Sequence, residues 1–193
     1  MMQRTRTPSL QISPEVLRSA VAILDEEGPD GFTVRAIAKR ADVAPMAIYN
    51  HFGGVNGVID QLWMRGFEML GEAVDRHSGD IEVDFMNAGF AYRRFALENR
   101  GLYTIMFLHR FRNFEPSPAG AQIAAQTFQA LVTIVERCQA AGILTHSRAS
   151  DAAQVIWSGC HGYVSLELHG INFAQNADDT YVMMLETLRR GLR

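Results

Sequence analysis

Apolar residues recur along this chain at three- and four-residue intervals, and the alternation that marks β-strands is nearly absent. Leu17, Ala20, Val21 and Leu24 form a first helical stripe. Its start is predicted at Ser13-Pro14, a hydroxyl cap followed by a proline at the first helical position, with Ile12 and Leu17 at staple spacing. Gly28-Pro29 ends it. A second helix opens at Thr33 and turns Ile37, Ala38 and Ala41 inward; a third opens at Pro45 and is broken by Gly53-Gly54. A longer helix follows over 55–76, with Ile59, Leu62, Trp63, Phe67 and Leu70 on its apolar side, and the polar stretch from His77 to Glu82 reads as a junction. Beyond it, 83–99 is apolar almost all round, as in a helix buried on more than one side. A short apolar helix is predicted over 101–108, a loop over 110–120, and helices over 121–141, from Ser150-Asp151 to His169, and over 178–192. The pattern predicts an all-α protein: an N-terminal arm and three-helix head (1–54), a connecting helix (55–76) and a larger helical body (77–193).

Composition narrows the function classes. The 193 residues are 48% hydrophobic and 20% charged, with a net charge of −3, so any footprint for nucleic acid must be local. Cys138 and Cys160 are the only cysteines, and both fall in apolar helical patterns, which points to buried thiols and excludes a disulfide scaffold. The first ten residues have no apolar core of a signal peptide, and no apolar run approaches a membrane span, so a cytoplasmic protein is expected. His109, His146, His161, His169 and the two cysteines lack ligand-like spacing, so no metal or cofactor is expected. Cys160 and His161 are adjacent and point about 100° apart on a helix, so they form no dyad by adjacency. Neither a phosphate-cradling loop nor a nucleophile elbow is present. No catalytic residue is assigned, and an enzyme is not expected.

Two helices of roughly two turns with a tight turn between them form a helix-turn-helix, in which one helix braces across the phosphate backbone and the other lies in the major groove. Thr33 offers a hydroxyl and a helix N-terminus to a phosphate, and Arg35, Lys39 and Arg40 supply local positive charge. Pro45, Met46 and Ala47 lie near the start of the second helix, where the backbone can approach base edges, and Tyr49, Asn50 and His51 offer hydrogen bonds at its end. A helical hairpin of this kind also occurs in proteins that never touch DNA, with Ile37, Ala38, Val43, Ile48 and Phe52 as ordinary core.

The segment from Gly31 to Phe52, GFTVRAIAKRADV followed by IYNHF, resembles the DNA-binding head of the TetR family of transcriptional regulators. The resemblance implies that Thr33, Arg35, Pro45, Met46, Tyr49, Asn50 and His51 meet double-stranded DNA, and that the operator is near-palindromic. Asp42 stands where the family usually has glycine, Ala44 where a capping Ser or Thr is common, and Val55 in the stretch where the family carries a phosphate-gripping lysine. Arg4 and Arg6 in the arm are candidate compensators.

A head that reads half-sites in pairs implies a homodimer. Gly159 and Gly162 lie three apart on one helical face, Leu166 and His169 extend it, and Tyr181, Met184 and Leu188 line the last helix. These are the candidate interface residues, with packing inside one subunit as the alternative. Trp157 followed by His161-Gly162, and the stretch Ala91–Phe107, resemble one subgroup of TetR-like sensor domains, with Arg100 where that subgroup often has proline. Phe90, Phe95, Tyr103, Met106, Phe107, Phe128, Trp157 and His161 exceed what a small helical core needs, and are expected to line an apolar pocket for a small-molecule effector. Tyr92, Arg93 and His109 are candidate polar anchors. The implied function is a repressor released from its operator by ligand through a population shift. The alternative is a helical carrier of small lipophilic molecules with a degenerate head.

Overall fold

A computed structural model describes residues 9–75, 77–145 and 148–193, with side chains from Ser13 onward; Arg4, Arg6 and His146 lie outside the described residues. Every regular element among them is helical. The described residues divide into two compact units, one holding those up to Gly66 together with Asn99–Ala121, the other those within Phe67–Glu98 and Gln122–Arg193. This division differs from the cuts expected at 54 and 76, because residues 99–121 cluster with the head.

The first unit begins with α1 (Ser9–Glu27), which starts before the expected Ser13-Pro14 and holds Pro14 inside it. Only about one helical turn precedes the proline, so the ring forfeits a single backbone bond, to the carbonyl of Leu10, and the helix persists. Its buried stripe centres on Val16, Ala20, Ile23 and Leu24. A 3₁₀ turn, Pro29–Gly31, leads to α2 (Val34–Arg40), whose N-terminus is capped by the Thr33 hydroxyl accepting from the Ala36 amide at 3.2 Å. Next come α3 (Pro45–Phe52) and the long α4 (Val55–Val74). Ile37, Ala38, Ile48, Val58, Ile59 and Leu62 are buried together with the α1 stripe and form the head core.

The turn from α3 into α4 depends on glycine. Gly53 takes a left-handed φ of 73° and donates its amide to the Tyr49 carbonyl at 2.9 Å, closing α3. Gly57 lies so close to the end of α3 that an added Cβ would sit 1.7 Å from the Phe52 carbonyl oxygen. The same unit contains α6 (Arg100–Tyr103), prolonged by a π-helical turn over Thr104–Leu108; the Asp25 carboxylate on α1 accepts the Gly101 amide at 2.7 Å.

The second unit contains α5 (Ile81–Glu98), most of α7 (Pro118–Ala140), α8 (Ala149–Leu168) and α9 (Ala177–Gly191). Its core includes Phe85, Phe95, Val135, Leu144, Ile156, Val164 and Leu185. Asp84 is buried, yet it accepts the Ser78 amide at 2.6 Å and hydroxyl at 2.7 Å, and Arg137 donates to it at 2.9 Å. The bonds from Ser78, then the cation of Arg137, hold its carboxyl down to about 2. Asn176 caps α9 by accepting the amides of Asp178 and Asp179.

Candidate nucleic-acid interface

Backbone bonds set the angle between α2 and α3 without help from glycine. Ala41 donates to the Ile37 carbonyl at 2.9 Å and Val43 to the Ala38 carbonyl at 3.0 Å, which closes α2. Asp42 between them adopts φ 49°, the left-handed conformation that its position in place of glycine requires. Ala44 supplies no side-chain cap; Pro45 at the first helical position starts α3 with its φ already set.

This turn orients α3 so that Ile48 is wholly buried while Met46 is 64% and Tyr49 52% exposed. Pro45, Asn50 and His51 on α3 are exposed too, as are Thr33 and Arg35 at the start of α2. All seven residues expected to meet DNA therefore lie at the surface of one helix-turn-helix. Arg40 is engaged differently: its guanidinium forms a two-pronged pair with Glu26 of α1, both bonds at 2.6 Å, and that pairing holds the Glu26 carboxyl below its ordinary value. All three cations of α2 are exposed, and among the described residues Arg35 and Lys39 form no ion pair.

The residues expected to line a pocket divide between the units. Phe90, Phe95, Phe128, Trp157 and His161 belong to the second, and Tyr103, Met106 and Phe107 to the first. In the second unit Trp157, half-buried on α8, donates its indole N–H to the Tyr92 hydroxyl at 3.2 Å. Tyr92 in turn meets His161 Nδ1 at 3.3 Å, and His161 Nε2 approaches the Ser165 hydroxyl at 3.5 Å. Phe128 of α7 lies against Trp157 with ring centroids 6.0 Å apart, and Trp157 lies 6.2 Å from the His161 ring. Burial lowers the His161 pKa from 6.5, favouring the neutral ring that can both donate and accept. The result is an aromatic wall threaded by a polar chain. Phe95 is buried, whereas Phe90 is 39% exposed and lines a separate shallow recess of about 240 Å³ with Arg93, Arg94, Leu97 and Glu98. In the first unit Tyr103 is fully buried with its ring 5.0 Å from Phe107, and Met106 packs against Gly66.

Two of the three polar anchors have other roles. Arg93 donates to Glu167 at 2.7 and 2.8 Å and to Asp178 at 2.7 Å, and lies 5.3 Å over the Tyr181 ring, so it ties α5 to α8 and α9. His109 stacks edge-on against Phe111 in the first unit, with centroids 4.6 Å apart. Ser165, at the end of the polar chain, has no signal in the sequence beyond its spacing from His161.

The candidate interface residues also separate. Tyr181 is wholly buried and donates its hydroxyl to the Gly89 carbonyl at 2.8 Å, which makes it a core residue of its own subunit. Gly159 faces α9: a Cβ there would meet Leu188 at 2.7 Å and Met184 at 3.3 Å. Gly162 has nothing within 4 Å of its Cβ position, and Leu166 and His169 are exposed beside it. Val155 and Ser158 continue that exposed stripe of α8, and Val182 and Met183 are exposed on α9.

Among the described residues no helix is long and apolar enough to cross a membrane, and no group of three His, Cys, Asp or Glu side chains is placed to hold a metal ion. Comparison with known proteins agrees with the geometry of both units. Residues 16–62 match the bacterial regulatory proteins of the tetR family, and residues 85–188 match the tetracyclin repressor-like C-terminal domain. An uncharacterized HTH-type transcriptional regulator of Bacillus subtilis, YobS, is 26% identical over 196 residues, covering 97% of this chain and 92% of that protein. A second such regulator, Rv0681 of Mycobacterium tuberculosis, is 27% identical over 184 residues, covering 92% of this chain and 79% of that protein. A solved protein of unknown function from Rhodococcus sp. RHA1 superposes with a TM-score of 0.82 at 26% identity, covering 94% of this chain and 95% of that one. The chain is a helix-turn-helix transcriptional regulator and belongs to the TetR family.

Proposed function

We propose that the protein is a homodimeric, cytoplasmic repressor that binds a near-palindromic operator and is released by a small, largely apolar effector. One observation carries this reading: Thr33, Arg35, Pro45, Met46, Tyr49, Asn50 and His51 are all exposed on one helix-turn-helix while Ile37, Ala38 and Ile48 complete its core. In functional terms the chain divides into a head (1–54), a connecting helix (55–76) and a sensing and dimerising body (77–193).

Thr33 and Arg35 take phosphates, and the exposed face of α3 enters the major groove, where Tyr49, Asn50 and His51 reach base edges or nearby phosphates. The dimer forms through the exposed stripe of α8, with Gly162 allowing close backbone approach and Leu166, Val182 and Met183 as apolar partners. Gly159 and Leu188 support that face from behind by packing α8 on α9. The effector lies against Phe128 and Trp157, with Tyr92 and His161 meeting a polar group on an otherwise apolar molecule. It releases DNA by its differential affinity for a dimer whose heads no longer match successive grooves.

The effector site is tested with the operator in hand. Trp157→Ala is expected to raise the effector concentration needed for half-release, leaving effector-free DNA affinity within about twofold of the unaltered protein. An unchanged release curve from a folded variant would place the effector elsewhere.

A further inference from the structure

We infer that the segment 109–114, His-Arg-Phe-Arg-Asn-Phe, is a second DNA-binding element, which lays Arg110 and Arg112 against the phosphate backbone beside the helix-turn-helix. This rests on the reading that the head binds DNA, and it adds residues that lie far from the head in sequence.

The segment follows the π turn of α6 and belongs to the same unit as the head. Aromatic rings pin it there at two points. Phe111 packs on Phe32, centroids 5.6 Å apart, and Phe32 immediately precedes the capping Thr33. Phe114 packs on Trp63 of α4, centroids 5.9 Å apart. A hydrogen bond adds a third point: Asn56, in the first turn of α4, donates its side-chain amide to the Asn113 carbonyl at 2.9 Å. A fourth lies just downstream, where the Ser117 amide donates to Asp60 at 2.9 Å. The segment therefore leans on the residue before the Thr33 cap of α2 and on the first three turns of α4, the helix that follows α3.

Alternation then decides what it offers to solvent. Phe111 and Phe114 are half-buried against the head, while Arg110, Arg112 and Asn113 are exposed. His109 stacks on the other side of Phe111 and stiffens the arrangement. Asn113 holds φ at 57°, which turns the chain between its two aromatic anchors. Among the described residues neither Arg110 nor Arg112 forms an ion pair, unlike Arg40, Arg93, Arg137, Arg148 and Arg189. Two guanidinium groups held on a pinned backbone, in the same unit as Arg35 and Lys39, add local positive charge to a chain whose net charge is negative. A polyanion is the partner that such a surface fits, and duplex DNA with α3 in its major groove is that polyanion.

The test uses the full-length protein and a fluorescein-labelled random-sequence duplex of about 30 base pairs, because binding to phosphates does not depend on sequence. Affinity is followed by anisotropy across a series of KCl concentrations. Arg110→Gln/Arg112→Gln is expected to flatten the plot of log affinity against log salt by about 0.9 for each phosphate no longer neutralised, with roughly tenfold or greater weakening of binding at moderate salt. Arg148→Gln/Arg190→Gln removes the same charge from exposed positions of the body and is expected to leave the slope unchanged. Equal flattening by both variants means a net-charge effect and overturns the inference. So does an unchanged slope in the loop variant while the unaltered protein binds. Failure of the unaltered protein to bind any duplex at low salt is a different result: it removes the proposed function, and the inference falls with it.

Discussion

Tyr49 and Ile48 are neighbours on α3 with opposite environments, one half in solvent and the other wholly buried, and that contrast separates recognition from folding at single-residue resolution. Tyr49→Ala is expected to weaken operator binding by about 1–3 kcal/mol and to leave the thermal midpoint nearly unchanged. A large drop in the midpoint, seen by circular dichroism, would make Tyr49 a folding residue instead. His161 gives a pH signature. Its folded pKa lies below 6.5, so the stability of the neutral ring is fully present above pH 6.5 and is lost as pH falls through the folded value. Asp84 acts in a lower window: its contribution is complete above 3.8 and is lost as pH falls toward about 2. Thermal midpoints taken from pH 8 to pH 5 are expected to fall more for the unaltered protein than for His161→Gln; parallel curves would contradict a buried neutral His161. Trp157 and His161 are well marked in the sequence, because aromatic and polar residues at four-residue spacing share a helix face. Arg93 pairs with Glu167 and Asp178, and those partners, 74 and 85 residues away, are not legible from its own position.

Helix positions are legible to within a few residues wherever caps and periodicity agree, as for Thr33 before α2, Pro45 at the start of α3 and Gly53 at its end. The start of α1 is misplaced from sequence because Pro14 reads as a first-turn residue, yet a single turn ahead of it costs only one backbone bond. The association of the 109–117 segment with the head is not legible, because its anchors, Phe32, Asn56, Asp60 and Trp63, are distant in sequence. Gly159 reads as an interface glycine for a sound reason, close approach of another helix, but the helix that approaches is α9 of the same chain. Gly57 gives no such signal in sequence. Gly57→Ala forces the α3–α4 turn to open around the Phe52 carbonyl, and is expected to destabilise the head by about 1–3 kcal/mol and to reduce DNA affinity with it. An unchanged unfolding midpoint would show that the turn has room to relax.

At the scale of the molecule, the proposed dimer makes opposite demands on Gly162. Within one chain its Cβ position is open, so Gly162→Ala should strengthen α8 by up to about 1 kcal/mol of helix propensity. Across a close helix–helix interface the same methyl group is unwelcome, and sedimentation velocity is expected to show a weaker dimer. An unaffected dimer would put the interface on another face. Leu166 of α8 and Met183 of α9, 49% and 62% exposed in the single chain, are the apolar side chains that the proposed dimer covers. Release by an effector and the paired reading of half-sites by a dimer both depend on the head reading a specific sequence. The most direct measurement is therefore selection of genomic fragments by the purified protein at low salt, followed by sequencing of what is retained. Enrichment of a near-palindrome with half-sites spaced for a two-fold dimer is expected, and it should be clearly weaker in Tyr49→Ala. Retention with no sequence preference, or enrichment that survives Tyr49→Ala unchanged, would contradict specific reading by the head.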